Sequence, residues 1–319
     1  MNRPPPLPAA QRKLAESIRE DLWFGDDDPE RTAEEASRSL AAAAALVAGL
    51  KPFPVVAQRV MVLLADPDTA VVKVKKAIEQ DPALTARLLR VANSALYSPA
   101  IACRSVEDAL MRLGSRTVSE IVASLATLGM FSDAKHGFGG AFRNHCVGVA
   151  AVARVLGTEW RYKGVDHVFL SGLMHDIGKL LAMQVGEIRY EALDPAALAT
   201  PDLVHMHERA FAGYDHAVLG AHVLSGWKLP EGISQVVGWH HQPQRAYAGG
   251  GTVGMQVALI RLADRLEYQL RHDSAANEKV IDELSKSLEA KHVGFSAVDL
   301  RSTWPKMLES REEVLALFR

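Results

Sequence analysis

Seven side chains of metal-binding type recur between residues 145 and 264 of the chain in a fixed order. They are His145, the dipeptide His175-Asp176, His216, the dipeptide His240-His241, and Asp264. Neutral imidazole nitrogen and carboxylate oxygen are the ligand types that suit Fe, Mn, Zn or Ni, so the series is a candidate site for one or two divalent transition metal ions. The most informative string is Leu173-Met174-His175-Asp176-Ile177-Gly178-Lys179-Leu180. Its polar residues interrupt an apolar run, where each buried polar group costs about 1–3 kcal/mol unless it is satisfied. One ion would satisfy His175 and Asp176 together, and Gly178 would let another segment or a ligand approach closely. Lys179 can meet a phosphate, or it can snorkel along its helix to solvent.

Each of these residues also has a plainer reading. A hydrogen-bonded structural pair accounts for His175-Asp176, a cap or core hydrogen bond for His145, and pairing with a neighbouring arginine for Asp264. Asp215 is placed to cap a helix, which leaves His216 as a solvent-facing first-turn residue. A helix C-terminus favours histidine through its dipole, which accounts for His240 and His241. Cys146 is either a soft ligand beside His145 or a small buried apolar residue. His136, His167, His205, His207, His222, His272 and His292 stand outside the series and read as structural or exposed.

The elements that must carry these residues read as helices throughout. Pro54 opens an amphipathic helix and Asp66-Pro67-Asp68 ends it; Asp81-Pro82 starts another, with Leu84, Leu88, Leu89 and Ala92 at helical spacing. Ser105-Val106-Glu107-Asp108 resembles a capping box, and Gly114 sits where a C-terminal glycine belongs. Gly137-Phe138-Gly139-Gly140 marks a loop between two halves. Further helices are predicted near Asn144–Leu156, Val165–Met183, Asp215–Trp227, Glu231–His241, Met255–Leu270 and Ser302–Phe318, with a flexible break at Gly249-Gly250-Gly251. No period-two strand pattern is present, so the fold class is all-α.

Before residue 51 the composition changes. A proline-rich start leads into a mixed-charge helical segment, an acidic break in which Asp28 caps and Pro29 opens a helix, and the helix-favouring run Ala41–Ala45. This is read as a helical N-terminal extension over residues 1–50, packed on the body or serving as a contact.

With 36 basic and 38 acidic side chains, the chain has no global basic field to draw it onto nucleic acid or an anionic membrane. Lys73, Lys75 and Lys76 read as a solvated helix face rather than a nucleic-acid footprint. The two cysteines, Cys103 and Cys146, do not make a disulfide framework. The apolar stretches near Ala41–Leu50 and Ile121–Phe131 are shorter than the ~20 residues a bilayer span needs. The start of the chain lacks the apolar run of a signal peptide. The expectation is a cytoplasmic protein without membrane insertion.

The order His145 … His175-Asp176 … Asp264 resembles the metal-binding pattern of HD-domain phosphohydrolases. His216, His240 and His241 resemble the additional ligands of binuclear members, including the HD-GYP cyclic-di-GMP phosphodiesterases. Gln242-Pro243 follows the histidine pair, however, and no Asp-Gly-x-Gly-Tyr-Pro string is present. The first half is similar to the HDOD (HD-related output) domain, through Lys51-Pro52-Phe53-Pro54, Asp66-Pro67-Asp68, Ile78–Thr85, Leu89–Ala95, Ser105-Val106, Ala109 and Leu113-Gly114. Asp215–Gly220 extends the likeness, which runs from about Lys51 to Pro243.

The HDOD resemblance implies a multi-helix bundle in two helical lobes and a regulatory protein of bacterial signal transduction, generally non-catalytic and often without its metal ligands. Here the ligand-type residues are all present. The division expected is a lobe over 51–135, an HD-like lobe over 136–245, and C-terminal helices over 246–319 completing it. The partner implied is a signalling protein, with a nucleotide or cyclic dinucleotide as a candidate ligand. The alternative is a metal-dependent phosphohydrolase acting on a nucleotide, cyclic dinucleotide or other phosphate ester. His145, His175, Asp176 and Asp264 would then hold one ion, His216, His240 and His241 a second, and Lys179 the phosphate.

Overall fold

The structure is a computed structural model. It describes residues 53–318 with short interruptions, the longest being 186–203, together with Ala41 and Ala45. Apart from those two helical residues, the N-terminal extension and its predicted Asp28-Pro29 cap lie outside the described residues, as do His136 and His207. The described residues form helices and no strand.

The helices in chain order are α1 Val55–Ala65, α2 Val71–Glu79, α3 Pro82–Ala92, α4 Val106–Ser132, α5 Phe138–Glu159, α6 Val165–Met174 and α7 Ile177–Val185. After the interruption come α8 His216–Gly226, α9 Glu231–Trp239, α10 Pro243–Gly249, α11 Gly251–His272, α12 Glu278–Ser285, α13 Leu288–Val293 and α14 Ala297–Leu317. They fall into two compact units, each discontinuous or bounded by the other along the chain. One joins Lys51–His175 to Met255–Arg319; the other includes Asp176–Gly254.

Within the larger unit, caps predicted from sequence are formed. Asp81 Oδ1 accepts from the Leu84 N–H at 3.0 Å, with Pro82 in the first turn where its missing N–H costs nothing. Ser105 Oγ accepts from Asp108 N–H at 3.0 Å while Asp108 Oδ2 accepts from Ser105 N–H at 3.1 Å, a reciprocal box. Gly114 sits where one helical run of α4 ends and a second begins, in the non-helical conformation φ 79° and ψ 163° that a C-terminal glycine can take.

α5 is buried along most of its length from Cys146 to Leu156, packed between α6 and α14. A Cβ on Gly172 of α6 would lie 2.8 Å from the Ala150 Cα, so glycine sets the close approach of α5 and α6. Gly139 and Gly140, expected in a loop, lie inside α5 instead. Both cysteines are buried and neither is in a disulfide.

The smaller unit is organised around α8, whose residues from His216 to Leu224 are all buried. It packs on α7 and α9. Asp215 caps it as predicted, accepting from the Val218 N–H at 2.9 Å, and Arg209 Nε donates to the same carboxylate at 2.6 Å. The glycine run 249–251 is a tight turn between α10 and α11, with Gly250 and Gly251 at φ 62° and 67°.

The single helix predicted over Val165–Met183 is two helices. His175 and Asp176 form the turn between α6 and α7. A turn here lets two adjacent polar side chains leave the apolar run in different directions, which one continuous helix would constrain to about 100° apart. No described helix is long and apolar enough to cross a membrane.

Candidate metal centre

In the smaller unit, Asp176, His216, His240 and His241 each offer a ligand atom, and these atoms lie within 4.8 Å of one another. Asp176 Oδ1 is 3.0 Å from His216 Nε2 and 3.6 Å from His240 Nε2. His216 Nε2 is in turn 3.3 Å from His240 Nε2 and 2.9 Å from His241 Nε2. His216 is wholly buried, not the solvent-facing residue its first-turn position suggests.

The other ring nitrogens explain why these rings turn inward. His216 Nδ1 is 2.6 Å from Glu208 Oε2, and His240 Nδ1 is 2.6 Å from the Val237 carbonyl oxygen. A carbonyl can only accept, so His240 donates from Nδ1 and presents a lone pair at Nε2. The carboxylate on His216 Nδ1 favours the same tautomer. Lone pairs 3.3 Å apart, facing a carboxylate oxygen, repel one another unless a proton or a metal cation lies among them. Glu208 also accepts from the His216 backbone N–H at 2.8 Å, which ties ring and helix start to one carboxylate.

The electrostatics agree with this geometry. Burial opposes protonation of His216, but Glu208 first and Asp176 after it raise the pKa to about 9, with Lys179 working against them. The pocket therefore favours positive charge at this ring. Burial holds His240 and His241 below their ordinary value, which keeps them neutral and able to donate lone pairs to a metal. The residues present fit a divalent transition ion: three imidazoles and a carboxylate oxygen, with outer carboxylate and carbonyl partners orienting two of the rings.

Lys179, one turn after Asp176, places Nζ 2.6 Å from Asp176 Oδ2 and is mostly shielded from solvent. Gly178 between them is required by packing. A Cβ there would lie 1.9 Å from the His216 carbonyl oxygen.

The remaining predicted residues lie in the larger unit. His145 Nε2 is 3.4 Å from Asp264 Oδ1, and the His145 and His175 rings meet edge-on with centroids 5.3 Å apart. His175 Nδ1 donates to the Gly172 carbonyl at 2.7 Å, the same backbone device used for His240. His145 Nδ1 is 2.9 Å from Glu267 Oε2.

Three participants have no place in the histidine series. Glu208 and Glu267 are fully buried carboxylates on His216 and His145, and His205 stacks on His241 with centroids 4.8 Å apart. Their signal in the sequence is spacing: Glu267 follows Asp264 by three residues, and Glu208 follows His205 by three, the interval that shares a helix face.

Comparison with known proteins places the chain in a family. The chain matches the HDOD domain over residues 50–243, more than half of its length. It is an HDOD-family protein. An uncharacterized protein of Treponema pallidum is 22% identical over 190 residues; the match covers 56% of this chain but only 35% of that relative. An HDOD domain protein of unknown function from Geobacter sulfurreducens has the same fold at a TM-score of 0.62, with 23% identity over 86% of this chain and 98% of that one. A Shewanella amazonensis structure, provisionally named a metal-dependent phosphohydrolase, shares the fold at a TM-score of 0.62. It is 22% identical over 88% of this chain and 100% of its own. At these identities the likenesses to solved structures show the fold of this HDOD protein. Its helices α11, α12, α13 and α14 lie beyond the matched HDOD segment.

Proposed function

We propose that this HDOD protein is a regulatory component of signal transduction that acts through contacts with a protein partner and holds a divalent transition metal ion in a closed site. The observation that carries the reading is the enclosure of the four-donor cluster. Asp176, His216 and His240 are buried, and only His241 is partly exposed. Four protein donors in an enclosed setting suit a structural or ligand-sensing ion, whereas a hydrolytic centre keeps a coordination position open for water. When bound, such an ion supplies the positive charge that the converging lone pairs and Asp176 call for. His145, with Nε2 3.4 Å from Asp264 Oδ1, and His175 beside it are candidate ligands of a further ion on this reading.

Lys179 fits the same account. Its ammonium group is engaged with the Asp176 carboxylate, where it offsets negative charge beside the buried cluster.

Elemental analysis of the purified protein and of Asp176→Ala tests the proposal, together with a phosphoester screen that includes cyclic dinucleotides. One or two transition metal ions per chain, lost in the variant, with no turnover, is the expected result. Turnover that disappears in Asp176→Ala would overturn the regulatory reading in favour of a phosphohydrolase. No metal after reconstitution with Mn, Fe or Zn would overturn the metal site.

A further inference from the structure

Glu267 is a buried carboxylate on α11 with three cationic or donor neighbours. Arg311 of α14 donates to Oε1 from Nη2 at 3.1 Å and from Nε at 3.2 Å. Arg271, one turn along α11, donates to Oε2. His145 Nδ1 on α5 approaches Oε2 at 2.9 Å. A buried carboxylate with these partners is firmly held, because removing any of them leaves charge uncompensated in a poor solvent.

Space for Glu267 is made by a second residue of α5. A Cβ at Gly148, one turn after His145, would lie 2.7 Å from the Glu267 Cγ and 2.9 Å from its Oε1. The carboxylate therefore occupies a notch that only glycine leaves open, directly beside the histidine it contacts.

The Glu267 carboxylate beside His145 Nδ1 favours the tautomer with its proton on that nitrogen. Arg271 Nη2 lies 3.0 Å from that nitrogen, and Glu267 Oε2 lies 2.9 Å from it. If Nδ1 carried the lone pair it would face a carboxylate oxygen, lone pair against lone pair. With the proton on Nδ1, both His145 and Arg271 donate to Glu267, and His145 Nε2 presents its lone pair on the side of Asp264, whose Oδ1 is 3.4 Å away.

We propose that Glu267 is a positioning residue for His145. Seated in the Gly148 notch and clamped by Arg311, it fixes the ring with the Nε2 lone pair turned to the side of Asp264, where a cation would bind. The C-terminal helix α14, outside the segment matched to the HDOD domain, thereby controls the first histidine of the series. In its metal consequence this inference rests on the proposed metal reading; in its effect on the histidine ring it stands alone.

Two readouts test it. The first is Mn²⁺ affinity of the metal-stripped protein for the ion whose binding is lost in His145→Ala, measured in Glu267→Gln, Gly148→Ala and Arg311→Met. Each variant is expected to bind Mn²⁺ about 10–100-fold more weakly, the usual cost of losing an outer partner of a ligating histidine. Arg301→Met, on the same helix but paired with the exposed Glu278, is expected to bind as the wild type does.

The second readout is the His145 side-chain nitrogen shifts by NMR with ¹⁵N-histidine, without metal. The wild type should hold the proton on Nδ1, and Glu267→Gln should shift it toward Nε2; Gly148→Ala provides the same test with the carboxylate intact but displaced. Unchanged nitrogen shifts in both variants would overturn the positioning role whatever the metal result. Changed shifts in a protein that binds no Mn²⁺ would support the role and sink the metal reading alone.

Discussion

At the residue scale, the rings of this protein differ in how their second nitrogen is treated, and that difference has consequences that can be measured. His216, His240, His175 and His145 each have Nδ1 against a carboxylate or a carbonyl. His222, on the same helix as His216, is buried with no hydrogen-bond partner for Nδ1 among the described residues. Burial lowers its pKa below the ordinary 6.5. As pH falls through about 6.5 the unfolded chain takes up a proton at this position that the folded chain resists, so the folded state loses stability toward acid. His222→Leu removes both the orphaned polar atom and that proton linkage. The expected outcome is a variant at least as stable as the wild type at pH 7, and relatively more stable at pH 5, by urea denaturation at the two values. A smaller advantage at pH 5 than at pH 7 would contradict the assignment.

At the scale of elements, glycine has opposite meanings in two helices. Gly178 is where α7 crosses the start of α8, and an added methyl would collide with backbone, which cannot swing aside as a side chain can. Gly178→Ala is predicted to destabilise the protein by about 3 kcal/mol, the upper part of the usual range for overpacking. Gly129 lies inside α4, and a methyl group added there would meet nothing within 4 Å. Gly129→Ala should stabilise by up to about 1 kcal/mol, because alanine costs less backbone entropy in a helix. Thermal melts of the two variants against the wild type check both signs.

Helix caps belong to this scale too, and they were legible. Asp81, Ser105 and Asp215 each have the residue type and spacing of a cap, and each accepts the expected backbone N–H, since a cap is decided by neighbours within four residues. The turn at His175-Asp176 was not legible. Its sequence is apolar enough to continue a helix, and what ends α6 there is decided by packing rather than by a local breaker.

At the scale of the whole molecule, metal binding at the candidate site would be linked to folding. The candidate ligands of the smaller unit come from residues far apart in the chain, from Asp176 to His241, so an ion binding them stabilises the folded state relative to the unfolded one. At a free concentration 100 times Kd the gain is about 2.7 kcal/mol. Mn²⁺ should raise the melting temperature of the wild type and leave Asp176→Ala unmoved. An equal rise in both would mean that the ion binds elsewhere.

A second whole-molecule prediction concerns acid. Burial pushes the Glu289 carboxyl up, but Arg261 above all, with Arg265, brings its pKa below the ordinary 4.5. The stability this adds is present above about pH 4.5 and is lost as pH falls through the lower folded value. Glu289→Gln should therefore be less stable than the wild type at pH 7, with the gap closing below pH 4, as read from denaturant midpoints.

The helical class, the main caps and breaks, and the order of the histidine and aspartate series could all be read from the amino-acid sequence, because these are written in neighbours a few residues apart. The HDOD likeness was also present in it, as short strings in the right order. The convergence of Asp176, His216, His240 and His241, the burial of His216, and the turning of the rings by Glu208, Glu267 and Arg311 emerge only in the folded chain. Those partners are 8, 122 and 44 residues away from the groups they hold, and at such separations no periodicity links one residue to the next. The grouping of helices into two units interleaved along the chain arises the same way, from which apolar faces meet once the chain is folded.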